Sequence, residues 1–228
     1  MNTCGLEIGI TNNFTDEDPS ILEKDYYFSE WYNIIKDVVN TPISYIYNYD
    51  DLFNGKIDKQ IAEMPNKNCF ARLDTLSSKP KKPYKNSLEI ILDLSKTPRT
   101  SQYFTKEMKI IIREYLDFDL DSKTNCNIEF RCFVHNKQLR GISSEGEIKD
   151  LNEVIENINK ITFYTDYDSY CADFTYYNNK LILIEINTPV WLFGCSGLFS
   201  LDEPFDLEVL TGKYIPEIIS YPIIYTNK

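Results

Sequence analysis

Glycine and histidine are scarce in this chain: its 228 residues include eight Gly and one His. With so little glycine, no Gly-rich phosphate loop is visible, so a Walker-type or Rossmann-type nucleotide site is not expected. The one histidine, His135, lies at a predicted hairpin turn, where we expect it to be solvent-exposed and not catalytic. No Ser/His/Asp or Cys/His nucleophile arrangement is credible without another His.

The six cysteines include no C-x-x-C pair, which leaves a zinc site few ligand options. We interpret all six as reduced thiols of a cytosolic protein.

Long apolar runs and an excess of positive charge are also lacking. No apolar run reaches the ~18 residues that a membrane span needs, and the first residues lack the basic and apolar regions of a signal peptide. The net charge is −11. Because an acidic surface repels phosphate backbones and anionic lipids, we expect neither a broad nucleic-acid surface nor membrane association. The charge suits a basic protein partner, but it equally serves ordinary solubility.

Hydrophobic residues make up 43% of the chain and aromatic residues 14%, enough for a sizeable core. Apolar residues recur at helical spacing from Glu23 to Asn40 and from Glu147 to Ile161. Short strands and helices are mixed in the first half, and two predicted hairpins dominate the second. This order predicts the α+β class, with an antiparallel sheet and one intervening helix.

The hairpin over residues 170–187 holds the first candidate site. Glu185 and Asn187 share one face at the end of an apolar strand, and Asp173 lies on the neighbouring strand. Such oxygen ligands suit magnesium, which completes its coordination shell with phosphate and water. An ordinary solvated strand end explains Glu185 and Asn187 equally well.

Asp173 and Glu185 can share a face only if this hairpin has an odd loop or a bulge. We expect a three-residue loop at residues 178–180, or a bulge with the same effect. Since two carboxylates in an empty site would repel each other, removing either one should leave the stability of the free protein unchanged or raised.

Candidate anion-binding residues lie on two other strands. Arg131 is flanked by aromatic residues in mid-strand, where it can serve a triphosphate or pair with Glu129 or another carboxylate. Arg72 ends a short strand, and a Lys-rich loop from Thr75 to Asn86, which includes Lys79, follows it. A strand-end cation with a mobile basic lid suits a polyphosphate. A solvated turn is the alternative.

The strand before residue 116 is apolar until it reaches Arg113, Glu114 and Tyr115. Its backbone can offer hydrogen bonds to an adenine edge where it connects two lobes. An ordinary core strand with a charged end fits the same pattern.

Taken together, these stretches resemble the cell division cycle protein 123 family, also called the D123 family, from about Asn68 to Glu203. Residues 70–79 resemble the family's Phe-Pro-Lys-Leu-Asn-Trp-Ser-Ser-Pro-Lys, and residues 111–115 its Leu-Arg-Lys-Tyr/Trp strand. Residues 129–134 followed by 139–143 match most closely. Asp173 with Glu185-Ile-Asn resembles the family's Asp and Asp-Phe-Asn, and residues 197–203 resemble Leu-Phe-x-Trp-Asp-Glu.

This resemblance implies an ATP-grasp-like fold, with an antiparallel sheet and flanking helices in two closely packed lobes. Residues 1–228 would form a single domain, divided into a divergent N-terminal part (1–67), a nucleotide lobe (68–116) and an antiparallel-sheet lobe with the metal site (117–228). The residues implied or nominated for ATP are Arg72, Lys79, Arg113, Glu114, Tyr115 and Arg131. Those implied for Mg²⁺ are Asp173, Glu185 and Asn187.

The chain departs from the family's pattern in two site residues. Arg72 replaces a Lys and Glu185 replaces an Asp, which changes the details of the phosphate and metal contacts.

The resemblance also implies a role as an assembly chaperone for translation initiation factor 2, acting on its gamma subunit in the cytoplasm. The alternative is an ATP-grasp ligase that joins an activated carboxylate or phosphate to an amine or hydroxyl of a protein, peptide or RNA. Both would bind ATP, and the ligase alone would transfer a group.

Overall fold

The computed structural model describes residues 26–122, 127–144 and 147–188 in full, and residues 223–226 as backbone. The helices of the described residues are α1 (Phe28–Ile35), α2 (Lys56–Glu63), α3 (Ser87–Lys96), α4 (Pro98–Ser101) and α5 (Leu151–Thr165). The strands are β1 (Ser44–Tyr47), β2 (Cys69–Leu73), β3 (Ile110–Glu114), β4 (Glu129–His135), β5 (Gln138–Ser144), β6 (Tyr170–Tyr177), β7 (Lys180–Asn187) and β8 (Ile223–Thr226). A 3₁₀ turn spans Tyr49–Leu52. Within this part of the chain, no helix has the length and apolarity to cross a bilayer.

Three strands in the order β1-β3-β2 form an antiparallel sheet. Its middle strand is apolar on both faces because each face packs against a different core. Ile110 and Ile112 pack in a cluster with residues of α2 and α3, whereas Ile111 points the other way and joins the core of the second sheet. The unbroken Ile-Ile-Ile run of β3 therefore reflects a strand buried on both sides.

Five strands in the order β7-β6-β4-β5-β8 form the second sheet, which is antiparallel except for the β5–β8 pair. Helices α1 and α5 contribute to its core. The rings of Phe130 and Phe174 stack there, with 5.8 Å between their centroids. With its two antiparallel sheets and flanking helices, the structure confirms the predicted α+β class.

The observed helix boundaries differ from those predicted by apolar spacing, because a helix begins and ends at caps and turns. Helix α1 ends at Ile35, well before Asn40, and residues before Tyr26 lie outside the described chain. Helix α5 begins at Leu151 because the carboxylate of Asp150 accepts hydrogen bonds from the backbone N–H groups of Asn152 and Glu153.

Asn86 caps the N-terminus of α3, where its side chain accepts a hydrogen bond from the backbone N–H of Glu89. The next residue, Ser87, donates from its N–H and its hydroxyl to Asp58 of α2, so it joins two helices. Helix α4 follows α3 closely and has Pro98 at its first position.

The hairpin of β6 and β7 has a two-residue turn and a bulge. Asn178 and Asn179 have φ angles of 51° and 62°, and the carboxylate of Asp119 accepts hydrogen bonds from both of their backbone N–H groups. Phe174 is opposite Leu183, and the register then shifts so that Asp173 is opposite Glu185. The three-residue loop was therefore the wrong alternative and the bulge the right one. As required, both carboxylates lie on one face.

Three of the cysteines, Cys69, Cys132 and Cys171, are free and buried, as expected for apolar strand positions. Burial raises the pKa of Cys69 to about 12. His135 is half-buried rather than exposed, and its Nδ1 shares a hydrogen bond of 2.9 Å with the hydroxyl of Ser169. Cys4, Cys126, Cys195 and the motif at residues 197–203 lie outside the described residues.

Candidate functional site

A cleft of about 360 Å³ lies between the two sheets. Six of the predicted site residues line it: Arg72, Lys79, Arg113, Glu114, Tyr115 and Glu185. The sequence analysis did not nominate Phe70, Phe118, Glu129 or Ile184, which also line it. The cleft therefore brings together residues that are more than one hundred positions apart in the chain.

Strand alternation explains why two arginines of the three-stranded sheet face this cleft. Arg72 is opposite Ile111, and Arg113 is opposite Phe70, so all four side chains share the face toward the second sheet. The same alternation is the signal that could have identified Phe70, which is two residues before Arg72 on β2.

Arg72 is 3% exposed and forms an ion pair with Glu185 of the opposite sheet. Its Nε donates to the carbonyl of Leu73 at 3.0 Å, and its guanidinium lies 5.6 Å from the centroid of the Phe28 ring. Arg72 is thus held by β2, by α1 and by β7. It joins the two sheets at the cleft.

Arg113 lies over the ring of Phe70, with 4.3 Å between the guanidinium carbon and the ring centroid. Its Nη1 donates to the carbonyl of Ile184 at 3.3 Å, at the bulge of β7. Burial and then the charge of Arg72 lower the pKa of Arg113 to about 10, against the opposing effect of Glu185. The guanidinium therefore still carries its charge at neutral pH.

Arg131, Asp173 and Asn187 form a second cluster on adjacent strands of the five-stranded sheet. Arg131 is opposite Asp173 and donates to both carboxylate oxygens at 2.6 Å, from Nε and from Nη2. The Nδ2 of Asn187 donates to the same carboxylate at 3.2 Å. Burial lowers the pKa of Arg131, but the charge and hydrogen bonds of Asp173 outweigh burial and raise it overall.

Of the alternatives for Arg131, the structure therefore selects pairing with a carboxylate, and that carboxylate is Asp173 rather than Glu129. Asp173 is 4% exposed, and a charge buried to this extent needs such a partner. These residues are not among those that line the cleft. Asp173 connects this cluster to the cleft through Glu185, its neighbour on β7.

Glu185 is the proposed metal ligand that lines the cleft, with 24% of its side chain accessible. Burial raises the pKa of Glu185, yet Arg72 first, and then Arg131 and Arg113, lower it overall. The glutamate is therefore ionised and paired at neutral pH. The solvated strand end considered from the sequence does not describe this residue.

The donors present suit magnesium. Asp173 and Glu185 supply carboxylate oxygens from directly opposed positions, and the amide of Asn187, whose Nδ2 lies against Asp173, would supply an oxygen after the amide turns. Magnesium needs one or two carboxylates and takes its remaining ligands from phosphate and water. Over the described residues, no group of three or more His, Cys, Asp or Glu side chains could hold a metal by itself. This set thus fits a metal that arrives with a phosphate ligand.

The ion pairs change one expectation of the sequence analysis. In this structure the two carboxylates do not simply repel each other, since each pairs with an arginine. Removing Asp173 would leave Arg131 buried without its partner, which is destabilising. We therefore expect removal of Asp173 to lower the stability of the free protein, in place of the unchanged or raised stability expected from the sequence.

The Lys-rich loop is anchored more firmly than its composition indicates. Tyr84 exchanges two backbone hydrogen bonds of 2.8 Å with Cys69, and both Tyr84 and Leu76 are buried. Between these anchors, Lys79 is exposed and has a left-handed φ of 56°. The basic tip therefore lies beside the cleft, while Leu76 and Tyr84 on either side of it pack in the core of the three-stranded sheet.

Comparisons with known proteins agree with this architecture. No family model matches the chain. A putative CDC123-like protein, L884 of Acanthamoeba polyphaga mimivirus, is 28% identical over 240 residues, which cover 80% of this chain and 71% of the relative. Cdc123 from Schizosaccharomyces pombe superposes with a TM-score of 0.66 at 16% identity, covering 89% of this chain and 95% of that one.

A RimK domain ATP-grasp protein from Sphaerobacter thermophilus superposes with a TM-score of 0.50 at 11% identity, covering 73% of this chain and 59% of that one. The fold is therefore of the ATP-grasp class. Within that class, the chain is similar to the viral CDC123-like protein and to the yeast Cdc123.

Proposed function

We propose that the cleft between the two sheets binds ATP with Mg²⁺ and that the protein acts as a Cdc123-like assembly factor. One observation carries the nucleotide part of this proposal. Arg72 and Arg113 of one sheet and Glu185 of the other converge on a single cleft, with the basic tip of the Lys-rich loop beside them.

The residues of the cleft divide into two sets of ligands. Arg72, Arg113 and Lys79 would neutralise the charge of the phosphates, as would Arg131 once it leaves Asp173. Phe70, Phe118 and Tyr115 supply aromatic surface for the base, with Glu114 beside them. The magnesium ligands would be Asp173, Glu185 and Asn187. The bound metal would supply positive charge that screens the triphosphate and fixes its orientation.

The proposed partner is the gamma subunit of translation initiation factor 2, or another protein with a basic surface. Its support is the Cdc123 relationship together with a net charge of −11, which favours association with a positively charged surface. Such a partner would be met in the cytoplasm, where we place the protein's action.

Calorimetric titration with ATP and Mg²⁺ tests the nucleotide part. Arg72→Gln should weaken binding by at least about tenfold, because a charge-assisted contact contributes on the order of 1.5–3 kcal/mol. Lys160→Gln is the matched control, since it removes one positive charge from the exposed ion pair of α5. Equal affinities of the two variants would contradict the proposed site.

Size-exclusion chromatography with the purified gamma subunit tests the partner. Co-elution in the presence of ATP and Mg²⁺, without release of ADP, is the expected result for an assembly factor. Nucleotide binding without co-elution would reject the partner and leave the nucleotide site standing. Release of ADP or AMP, with a mass gain on a protein, peptide or RNA acceptor, would instead identify a ligase.

A further inference from the structure

Two of the arginines proposed to bind phosphate are already paired with the two carboxylates proposed to bind metal. Arg72 forms its ion pair with Glu185, and Arg131 forms a bidentate pair with Asp173. In each pair, the arginine is a proposed phosphate ligand and the carboxylate is a proposed metal ligand. We call these two pairs the charge lock.

Both pairs belong to one electrostatic unit rather than to two separate sites. Asp173 and Glu185 are directly opposed on adjacent strands, so the carboxylates of the two pairs are neighbours. Asn187 donates to Asp173 from the same strand that carries Glu185. A ligand that opens one pair therefore changes the field acting on the other.

Neither ligand can use the site alone without leaving charges unpaired. Mg²⁺ alone would draw the carboxylates away from two guanidinium groups. ATP alone would draw the arginines away and place its phosphates beside two bare carboxylates. Because buried charges without partners are unfavourable, each of these half-exchanges opposes binding. When both ligands arrive, every charge exchanges one partner for another.

We infer that the charge lock makes the binding of nucleotide and of Mg²⁺ mutually dependent, so that the cleft selects the magnesium complex of a polyphosphate over either component. This inference rests on the proposed ATP and magnesium site. The coupling is reciprocal by thermodynamic necessity, and a factor on the order of tenfold to hundredfold is typical of such linked sites.

The lock predicts that opening a pair by mutation strengthens binding of the wrong ligand. In Glu185→Gln, Arg72 loses its carboxylate partner, so ATP in EDTA should bind at least about fivefold more tightly than it binds the wild type. In Arg72→Gln, Glu185 loses its guanidinium, so Mn²⁺ without nucleotide, followed by electron paramagnetic resonance, should bind more tightly by a similar factor. If these residues were ligands only, neither gain would occur.

Glu156→Gln is the matched control for removal of one negative charge. Glu156 forms an exposed ion pair with Lys160 on α5 and does not line the cleft. We expect this variant to change the affinity for magnesium-free ATP by less than about twofold, which separates a general charge effect from release of a paired arginine.

The test is a calorimetric matrix of the wild type and these three variants with ATP in EDTA, with Mg²⁺ alone and with both, after each variant is shown to melt cooperatively. Wild-type coupling with the reciprocal gains in Glu185→Gln and Arg72→Gln supports the lock. Tight binding of both ligands together, with no gain in Glu185→Gln beyond that in Glu156→Gln, overturns the lock and leaves the proposed function intact.

The wild-type affinities alone test the charge lock even if a variant fails to fold. An affinity for Mg²⁺ alone within about twofold of its affinity in the presence of ATP would overturn the lock by itself. No binding of ATP with Mg²⁺ to folded wild-type protein would reject the proposed function instead, and the lock with it.

Discussion

The two sheets that enclose the cleft bring charges of opposite sign to it. The three-stranded sheet and the loop after β2 supply Arg72, Arg113 and Lys79, which we call the cationic wall. The five-stranded sheet supplies Glu185, with Asp173 opposite it on β6, which we call the acidic wall. Two charges depart from this division: Glu114 of β3 also lines the cleft, and Arg131 belongs to the five-stranded sheet, where it pairs with Asp173.

This difference teaches that neither sheet forms a site by itself. The cationic wall would repel metal and the acidic wall would repel phosphate, whereas together they suit a metal–polyphosphate complex. The walls also neutralise each other in the absence of a ligand, which explains how buried arginines and carboxylates coexist in one small cleft.

The largest expected effect is a loss of stability on mutation of the core-facing side of β6, the strand that carries Asp173. Phe174 follows Asp173 on β6 but points into the core, where it is fully buried against Phe130. Phe174→Ala should lower the free energy of unfolding by about 3–5 kcal/mol, because it removes a large buried ring. Urea denaturation measures this loss. Phe163→Ala, at a side chain that is 78% exposed, should change it by less than about 0.5 kcal/mol. Equal losses would show that the core has been misplaced.

Breaking the buried pair of the acidic wall should cost nearly as much. Asp173→Ala leaves Arg131 without the carboxylate that accepts both of its hydrogen bonds, so we expect a loss of about 3 kcal/mol in the free protein. Asp173→Leu combined with Arg131→Met removes both charges and should recover most of this loss. Chemical denaturation of the single and double variants gives the coupling energy. A coupling near zero would mean that the pair is not formed in solution.

A smaller effect follows from the pKa of Glu185. Its pKa in the folded protein lies below the usual value of about 4.3, so its pairing stabilises the fold above that value. This contribution is lost as the pH falls through the lower, folded pKa. Melting curves of the wild type should therefore show a steeper loss of stability below about pH 4.3 than those of Glu185→Gln. Parallel curves would indicate that Glu185 is not held by the cationic wall.

The smallest effect concerns the exposed tip of the cationic wall. Trypsin should cleave after the exposed Lys81 in the free protein, and ATP with Mg²⁺ should slow this cleavage several-fold, because the tip would close over the phosphates. Lys79→Ala should weaken nucleotide binding by only about two- to fivefold, as expected for an exposed cation. Cleavage at the same rate with and without the ligands would show that the loop is only a solvated connection.

Much of the site could be predicted from the alternation of side chains along strands and from the odd loop or bulge that this alternation requires in the hairpin of β6 and β7. The need for Asp173 and Glu185 to share a face required an odd loop or a bulge, and the structure has the bulge. The strand-end position of Arg72 placed it at the cleft. Which alternative the hairpin chose could not be predicted, since Asp119, a distant residue, binds the backbone of the two-residue turn.

The pairing of the charges was not predictable in the same way. The sequence offered Glu129 and other carboxylates to Arg131, and the order of strands in the sheet makes Asp173 its neighbour. Similarly, the pair between Arg72 and Glu185 depends on how two sheets pack, which no local pattern encodes. The burial of Tyr84 in a polar loop depends on contacts with β2 and α3.

The most direct test of the central claim is a crystal structure of the protein grown with ATP and Mn²⁺, with anomalous differences measured for manganese. We predict one strong anomalous peak bounded by Asp173, Glu185 and Asn187, next to phosphate density contacted by Arg72 and Arg113. In that structure the Arg72–Glu185 pair should be open. Manganese or nucleotide bound elsewhere, with this pair intact and the cleft empty under saturating ligand, would contradict the account.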